Sequence, residues 1–174
     1  MRPLLLAAAL AMCVAPPHDV TVREEAGTYL VRARFTVPQP AAIARAVLTD
    51  YEEITRFLPD IKSSIVLERT PRLLVEQQVI SAYAMFSKKV HLVLEITQDE
   101  ESIHFVDRGG KSFKQYEGTW RLAEDAGGTA ITYDLSAQPT FSLPGFMLKR
   151  LLKRDSTEMI DRLMAEMAAR AQTR

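Results

Sequence analysis

A chain of 174 residues, 47% hydrophobic and 25% charged, has the size and composition of one globular domain, which excludes a disordered chain and a polytopic membrane protein. Its 22 Lys and Arg balance 22 Asp and Glu, so there is no excess positive field to hold a phosphate backbone, and nucleic acid is excluded as the first partner to consider. A single cysteine, Cys13, excludes an intramolecular disulfide.

Residues 1–15 differ from the rest. Arg2 supplies a positive start, residues 4–14 form an uncharged apolar run, and small residues follow, which is the grammar of a secretory signal peptide. The run falls short of the roughly 20 apolar residues that span a bilayer. The segment is therefore expected to be removed, leaving one exported, periplasmic domain over residues 20–172. Cleavage after Ala9-Leu10-Ala11 fits a small-x-small site, whereas cleavage after Cys13-Val14-Ala15 would set Pro16 against the scissile bond. Leu10-Ala11-Met12-Cys13 resembles a degraded lipobox with Met12 where a small residue belongs, so lipid anchoring at Cys13 is the lesser expectation.

After Pro16 and Pro17, residues 20–25 form a short strand candidate before the turn Ala26-Gly27. Tyr29, Val31, Ala33, Phe35 and Val37 then alternate with Leu30, Arg32, Arg34 and Thr36, the period-two pattern of a strand with one buried face. Residues 41–48 carry apolar side chains at helical spacing, and Asp50 with Glu53 reads as a capping-box variant opening a second short helix through Leu58. Six strands follow at 61–69, 73–84, 88–98, 102–107, 112–123 and 129–137, joined by hairpin-length turns, which predicts an antiparallel meander.

Alternation also predicts the inner face. It takes Ile65 and Leu67, then Val90, Leu92, Leu94 and Ile96, then Ile103 and Phe105, then Tyr116, Gly118, Trp120 and Leu122, then Ile131, Tyr133 and Leu135. Residues 73–84 fit neither parity cleanly. Residues 145–170 form one amphipathic helix on Leu148, Leu151, Leu152, Met159, Ile160, Leu163, Met164 and Met167. The expected fold is α+β: a curved antiparallel sheet of about seven strands, two short helices, and a C-terminal helix about 40 Å long lying across the concave face. A cavity between that helix and the sheet follows.

Two segments carry a family resemblance. Thr49-Asp50-Tyr51-Glu52-Glu53-Ile54-Thr55-Arg56-Phe57-Leu58-Pro59-Asp60-Ile61 looks like the helix-to-strand segment of polyketide cyclase and coenzyme Q-binding START-domain proteins, and Tyr116-Glu117-Gly118-Thr119-Trp120-Arg121-Leu122 looks like their penultimate strand. Over residues 29–171 the chain resembles the START-like (SRPBCC) superfamily, which implies a helix-grip fold and an apolar ligand such as a lipid, a quinone or a polyketide. Neither segment is catalytic, so the resemblance speaks for architecture more than for ligand.

The residues expected to face such a ligand are Phe57, Tyr83, Leu92, Leu94, Phe105, Tyr116, Trp120, Tyr133, Phe141, Phe146, Leu152, Asp155 and Met159. Asp155 shares the side of the helix marked by Leu148, Leu152 and Met159, where a carboxylate must be paired at the helix edge or anchor a polar group in the pocket. His18, His91, His104 and Cys13 lack metal-ligand spacing, and no nucleophile elbow or phosphate loop occurs, so no metal, catalytic residue or cofactor is expected. His91 and His104 share the polar parity of their strands and are candidates for cross-strand neighbours. Lys149, Arg150, Lys153 and Arg154, following the apolar Phe141-Ser142-Leu143-Pro144-Gly145-Phe146 segment, form a patch that can meet an anionic membrane. A binding or transfer protein is the reading favoured over an aromatase/cyclase using Tyr83, Asp107 or Asp155, and over a protein-interaction module with a filled interior.

Overall fold

The computed structural model describes residues 18–83 and 86–173; the expected signal segment and Cys13 lie outside them. Eleven elements follow in chain order: β1 (Asp19–Glu25), β2 (Thr28–Val37), α1 (Ala41–Leu48), α2 (Ile54–Phe57), β3 (Ile61–Glu68), β4 (Leu73–Tyr83), β5 (Phe86–Gln98), β6 (Ser102–Asp107), β7 (Phe113–Asp125), β8 (Gly128–Pro139) and α3 (Gly145–Gln172). The strands form one antiparallel sheet in the order β1-β2-β8-β7-β6-β5-β4-β3. This is the α+β helix-grip arrangement. It holds eight strands rather than about seven, because β1 pairs with β2 along its whole length, Asp19 opposite Arg34 to Glu25 opposite Thr28.

The inner face matches the alternation from β5 to β8. Leu92, Leu94, Ile96, Ile103, Phe105, Trp120, Leu122, Ile131, Tyr133 and Leu135 are all buried, together with Val31, Phe35 and Val37 of β2. In β4 the inward set is Leu73, Val75 and Gln77: Val75 and Gln77 are buried and Leu73 packs on the core. One expectation fails at β3. Ile65 and Leu67 are each 52% exposed, while Ile61 and Val66 pack on the core. Register shifts between Ile61 and Ser63 and between Val66 and Glu68 change the parity along this edge strand, and a one-residue shift turns side chains to the opposite face.

The capping box also fails to form. Only Ile54–Phe57 is helical, Glu53 makes no side-chain cap, and the Asp50 carboxylate instead accepts from Arg170 Nη2 at 2.7 Å. Nor do the histidines pair. His104 stands opposite Thr97 and Thr119 and its Nδ1 lies 3.0 Å from Thr119 Oγ1, whereas His91 stands opposite Gln78 with Nε2 2.7 Å from Glu76.

Helix α3 packs against β1, β2, β4 and α1. Near its start, Leu148 and Leu151 bury against Tyr29. Near its end, Glu166, whose side chain is only 9% exposed, accepts from Arg56 and from Arg170 Nε at 2.8 Å, and the Arg170 guanidinium lies 5.6 Å from the Phe57 ring centroid. Burial pushes the Glu166 pKa up, but the hydrogen bonds and charges of Arg170 and Arg56 outweigh it and hold the carboxyl below its ordinary value.

This packing can be tested at two positions. A Cβ at Gly118 would sit 2.5 Å from Phe105 Cζ and 2.6 Å from Asp134 O, so Gly118→Ala must displace the Phe105 ring or the neighbouring strand. Overpacking of this kind costs about 1–3 kcal/mol, and urea unfolding should show the midpoint falling accordingly. Glu166→Gln should cost about 1–2 kcal/mol, less than the roughly 3–5 kcal/mol of a fully desolvated pair because both arginines stay partly in water. Because the folded pKa of Glu166 is lowered, its contribution is complete above the unfolded carboxyl value and is lost as pH falls through the folded one. The wild type should therefore lose stability on acidification through that window, and Glu166→Gln should lose less of it.

Candidate ligand cavity

Hairpin pleating aims alternate side chains of β4, β5, β7 and β8 into the hollow beneath α3. There they wall a chamber of about 200 Å³, with Leu92, Tyr116 and Tyr133 from the sheet and Leu148, Leu152 and Met159 from the helix. Phe141, on the approach to α3, closes one side, its ring 6.2 Å from that of Phe113. A second, deeper chamber of about 110 Å³ lies towards α1 and α2, walled by Leu48, Ile54, Leu94, Phe105, Trp120 and Leu163 among others. Its wall is apolar apart from the tyrosines and Gln77. The solvent face of the sheet carries a wider groove of about 660 Å³. Ion pairs floor it, Asp134 holding Arg32 at 2.6 Å and Arg121 at 2.9 Å, so the inner chambers are the better match to the concave, apolar form of small-molecule sites.

A chain of aromatic rings runs between the chambers. Phe113 and Tyr116 centroids are 4.8 Å apart, Tyr116 and Phe105 6.0 Å, Phe105 and Tyr133 6.4 Å, and Tyr133 stacks on Trp120 at 4.2 Å. Burial pushes the Tyr116 hydroxyl up to about 12, offset in part by a hydrogen bond with Tyr133. Burial, reinforced by the charge of and hydrogen bond with Tyr116, raises Tyr133 well above its ordinary value. Both phenols are therefore neutral at physiological pH, and the centre of the hollow offers hydroxyl groups but no charge.

Charge is confined to the outer chamber. Asp155 accepts from the Ser81 hydroxyl and from Arg154 Nη2 at 2.6 Å, so it makes the helix-edge ion pair, and it also lines the chamber wall. Lys88 Nζ lies 4.8 Å over the Phe141 ring, and the exposed Asp60 and Arg162 complete this rim.

Of the residues expected at the site, Leu92, Tyr116, Tyr133, Phe141, Leu152, Asp155 and Met159 line the outer chamber, while Leu94, Phe105 and Trp120 line the inner one, which Tyr116, Tyr133 and Met159 share. Phe57 is buried beneath Arg170 and is absent from both walls, and Phe146 is 64% exposed on the first turn of α3. The Tyr83 side chain lies outside what is described. Asp107, weighed as a proton-transfer group, is a turn clamp whose carboxylate accepts from the backbone N–H groups of Val93, Gly109 and Gly110. Sequence reasoning missed Phe113 and Gln77. A register shift between Phe113 and Gln115 turns Phe113 inward alongside Tyr116, against simple alternation, and Gln77 sits on the one strand whose parity was unreadable.

Known proteins bear on this architecture in two ways. No curated protein matches the sequence. Among solved structures, a protein from Thermus thermophilus superposes with a TM-score of 0.69 at 24% identity, over 80% of this chain and 97% of that one. A START superfamily protein from Mycobacterium smegmatis gives 0.70 at 18%, over 80% and 97%. The Zhui aromatase/cyclase from a Streptomyces species gives 0.70 at 16%, over 83% and 96%. At these identities the likeness is one of fold. The family model described as polyketide cyclase / dehydrase and lipid transport matches residues 37–164, which run from the end of β2 to the C-terminal half of α3 and include both chambers, and the chain belongs to that family.

Proposed function

We propose that this protein is exported and that it binds or transfers a hydrophobic small molecule, of lipid, quinone or polyketide-like character, held between the sheet and α3. The observation that supports it most is the chamber itself: apolar side chains and neutral phenols form most of the wall, the charged Asp60, Lys88 and Arg162 stand at its rim, and the helix carboxylate Asp155 is already engaged by Ser81 and Arg154. Such a wall rewards burial of apolar surface without fixing one reacting geometry. An aromatase/cyclase reading draws on the same phenols, Tyr116 and Tyr133, as proton donors to a bound carbonyl. Export rests on the signal-like residues 1–15.

Loading and release require contact with whatever stores the ligand, and the start of α3 is suited to a membrane surface. Phe146, Arg150 and Lys153 recur at four- and three-residue spacing, on one helix face, and all three are exposed. Of the four basic residues expected there, Lys149 is 3.6 Å from Glu24 and Arg154 is tied to Asp155, which leaves Arg150 and Lys153 to meet anionic lipid.

Mature protein purified from its own cell envelope without detergent should carry a stoichiometric hydrophobic passenger, visible by native mass spectrometry and named by organic extraction. A protein that is empty and also refuses a panel of lipids, quinones and aromatic polyketides would overturn the reading. In co-sedimentation with anionic vesicles, Arg150→Gln combined with Lys153→Gln should weaken binding about thirtyfold, at about 1 kcal/mol for each basic residue. Lys149→Gln should change it little.

A further inference from the structure

Six residues belong to both chambers: Leu58, Ile61, Gln77, Tyr116, Tyr133 and Met159. They form a collar between a volume of about 200 Å³ on the solvent side and one of about 110 Å³ within. Small-molecule sites start at roughly 300 Å³. Neither chamber reaches that size alone, and the two joined do. The inner one, bounded by Leu94, Phe105 and Trp120, falls in the size class of the engineered cavity of about 150 Å³ that stays dry and admits benzene. It suits a short alkyl end or a single ring, and nothing charged.

Whether the chambers join depends on which collar side chain can move. Tyr133 is stacked on Trp120 at 4.2 Å and Tyr116 is packed on Phe113 at 4.8 Å. Gln77 is buried and donates from Nε2 to Ser64 Oγ at 3.2 Å, and Leu58 is buried at the end of α2. Ile61 and Met159 are both half-buried, but Ile61 is β-branched and stiff at χ1, whereas the unbranched thioether of Met159 has three rotatable bonds. Met159 projects from α3 between the two anchored ends of the helix, four residues after Asp155 and four before Leu163.

We infer that Met159 is a swinging gate between the two chambers, and that the protein selects elongated ligands whose uncharged end passes the collar into the inner chamber while the rest of the molecule stays in the outer one. This rests on the cavity being the binding site. The ligand class follows from the walls: an apolar leading end, a middle that can accept a hydrogen bond from the linked Tyr116 and Tyr133 hydroxyls, and a polar trailing end at the rim, where Lys88 and Arg162 stand with Asp60 and Asp155.

Trp120 makes the gate observable. It is the only tryptophan in the chain and it walls the inner chamber, not the outer. A homologous series of alkyl carboxylates bearing bromine on the terminal carbon would be titrated in, with occupancy counted by native mass spectrometry and contact read from quenching of Trp120 fluorescence. Short members should bind without quenching. Above a threshold length quenching should appear, and each further methylene that crosses the collar should raise affinity about fourfold.

In Met159→Phe, and in Met159→Ile, whose β-branched side chain is stiff at χ1, the long members should still bind but lose both the quenching and the per-methylene gain. Met159→Ala should keep both. Circular dichroism identifies any variant that fails to fold, and the remaining variants then decide. Long members that bind the wild type without quenching Trp120, or Met159→Phe and Met159→Ile variants that quench as the wild type does, would overturn the gate and leave the cavity reading standing. Failure of every member to bind a wild type that still takes up another lipid, quinone or polyketide would overturn the gate alone, and failure of that panel as well would overturn both.

Discussion

A straight helix cannot follow a curved sheet, and the hollow in this molecule depends on that mismatch. At 28 residues α3 is about 42 Å long, enough to cross the concave face from end to end. Its backbone comes closest to β1, β2, β4 and α1, and over the middle of the sheet only side chains bridge the gap. The strands there, β5 to β8, present Leu92, Tyr116, Trp120 and Tyr133 upward, and α3 presents Leu152, Met159 and Leu163 downward. Gly118 lets the Phe105 ring lie directly on β7, where a Cβ would meet it at 2.5 Å.

Such a span is stable only if its two ends are held. One end uses apolar contact, Leu148 and Leu151 against Tyr29, with Lys149 reaching Glu24. The other uses charge, Glu166 between Arg56 and Arg170, with Arg170 passing on to Asp50. These anchors behave differently. Apolar contact can slide and reform with little directional cost, whereas a buried carboxylate tied to two guanidiniums is bound to one geometry. The C-terminal half of α3 is therefore the fixed end, and the half that begins at Gly145 is the end better able to yield to a ligand.

Most of this frame was legible because period-two alternation survives wherever a strand is regular. It marked β2 and β5 to β8, and the helical spacing of Leu148, Leu151, Ile160, Leu163 and Met167 marked α3. What could not be read shares a physical cause. Bulges in β3 and β7 change parity without leaving a sequence mark, so Ile65 and Leu67 turned out to solvent and Phe113 turned in. Long-range pairing redirected Asp50 from a local cap to Arg170, 120 residues away. Phe57 and Phe146 have the right chemistry for a cavity wall, but their positions are set by Arg170 and by the first turn of α3, neither of which alternation addresses.

The distribution of charge bears on what kind of work the hollow can do. Proton-transfer chemistry needs a titratable group of suitable pKa held within reach of a reacting atom. Here the buried phenols stay protonated, the Asp107 carboxylate that acts on Tyr116 is held by backbone N–H groups of its turn, and Asp155, in the outer chamber, is paired with Arg154. Apolar burial is graded and non-directional, at about 25 cal/mol per Å², so related molecules of differing outline can occupy the same space with similar affinity. That property serves a protein that must take up and release a class of compounds, and it would work against one that must hold a single substrate in register for reaction. The polar groups at the collar, the Tyr116 and Tyr133 hydroxyls and the Gln77 amide, are the exception, because they can reward one position of a polar group along the ligand, and selectivity in this cavity is therefore to be sought at that constriction.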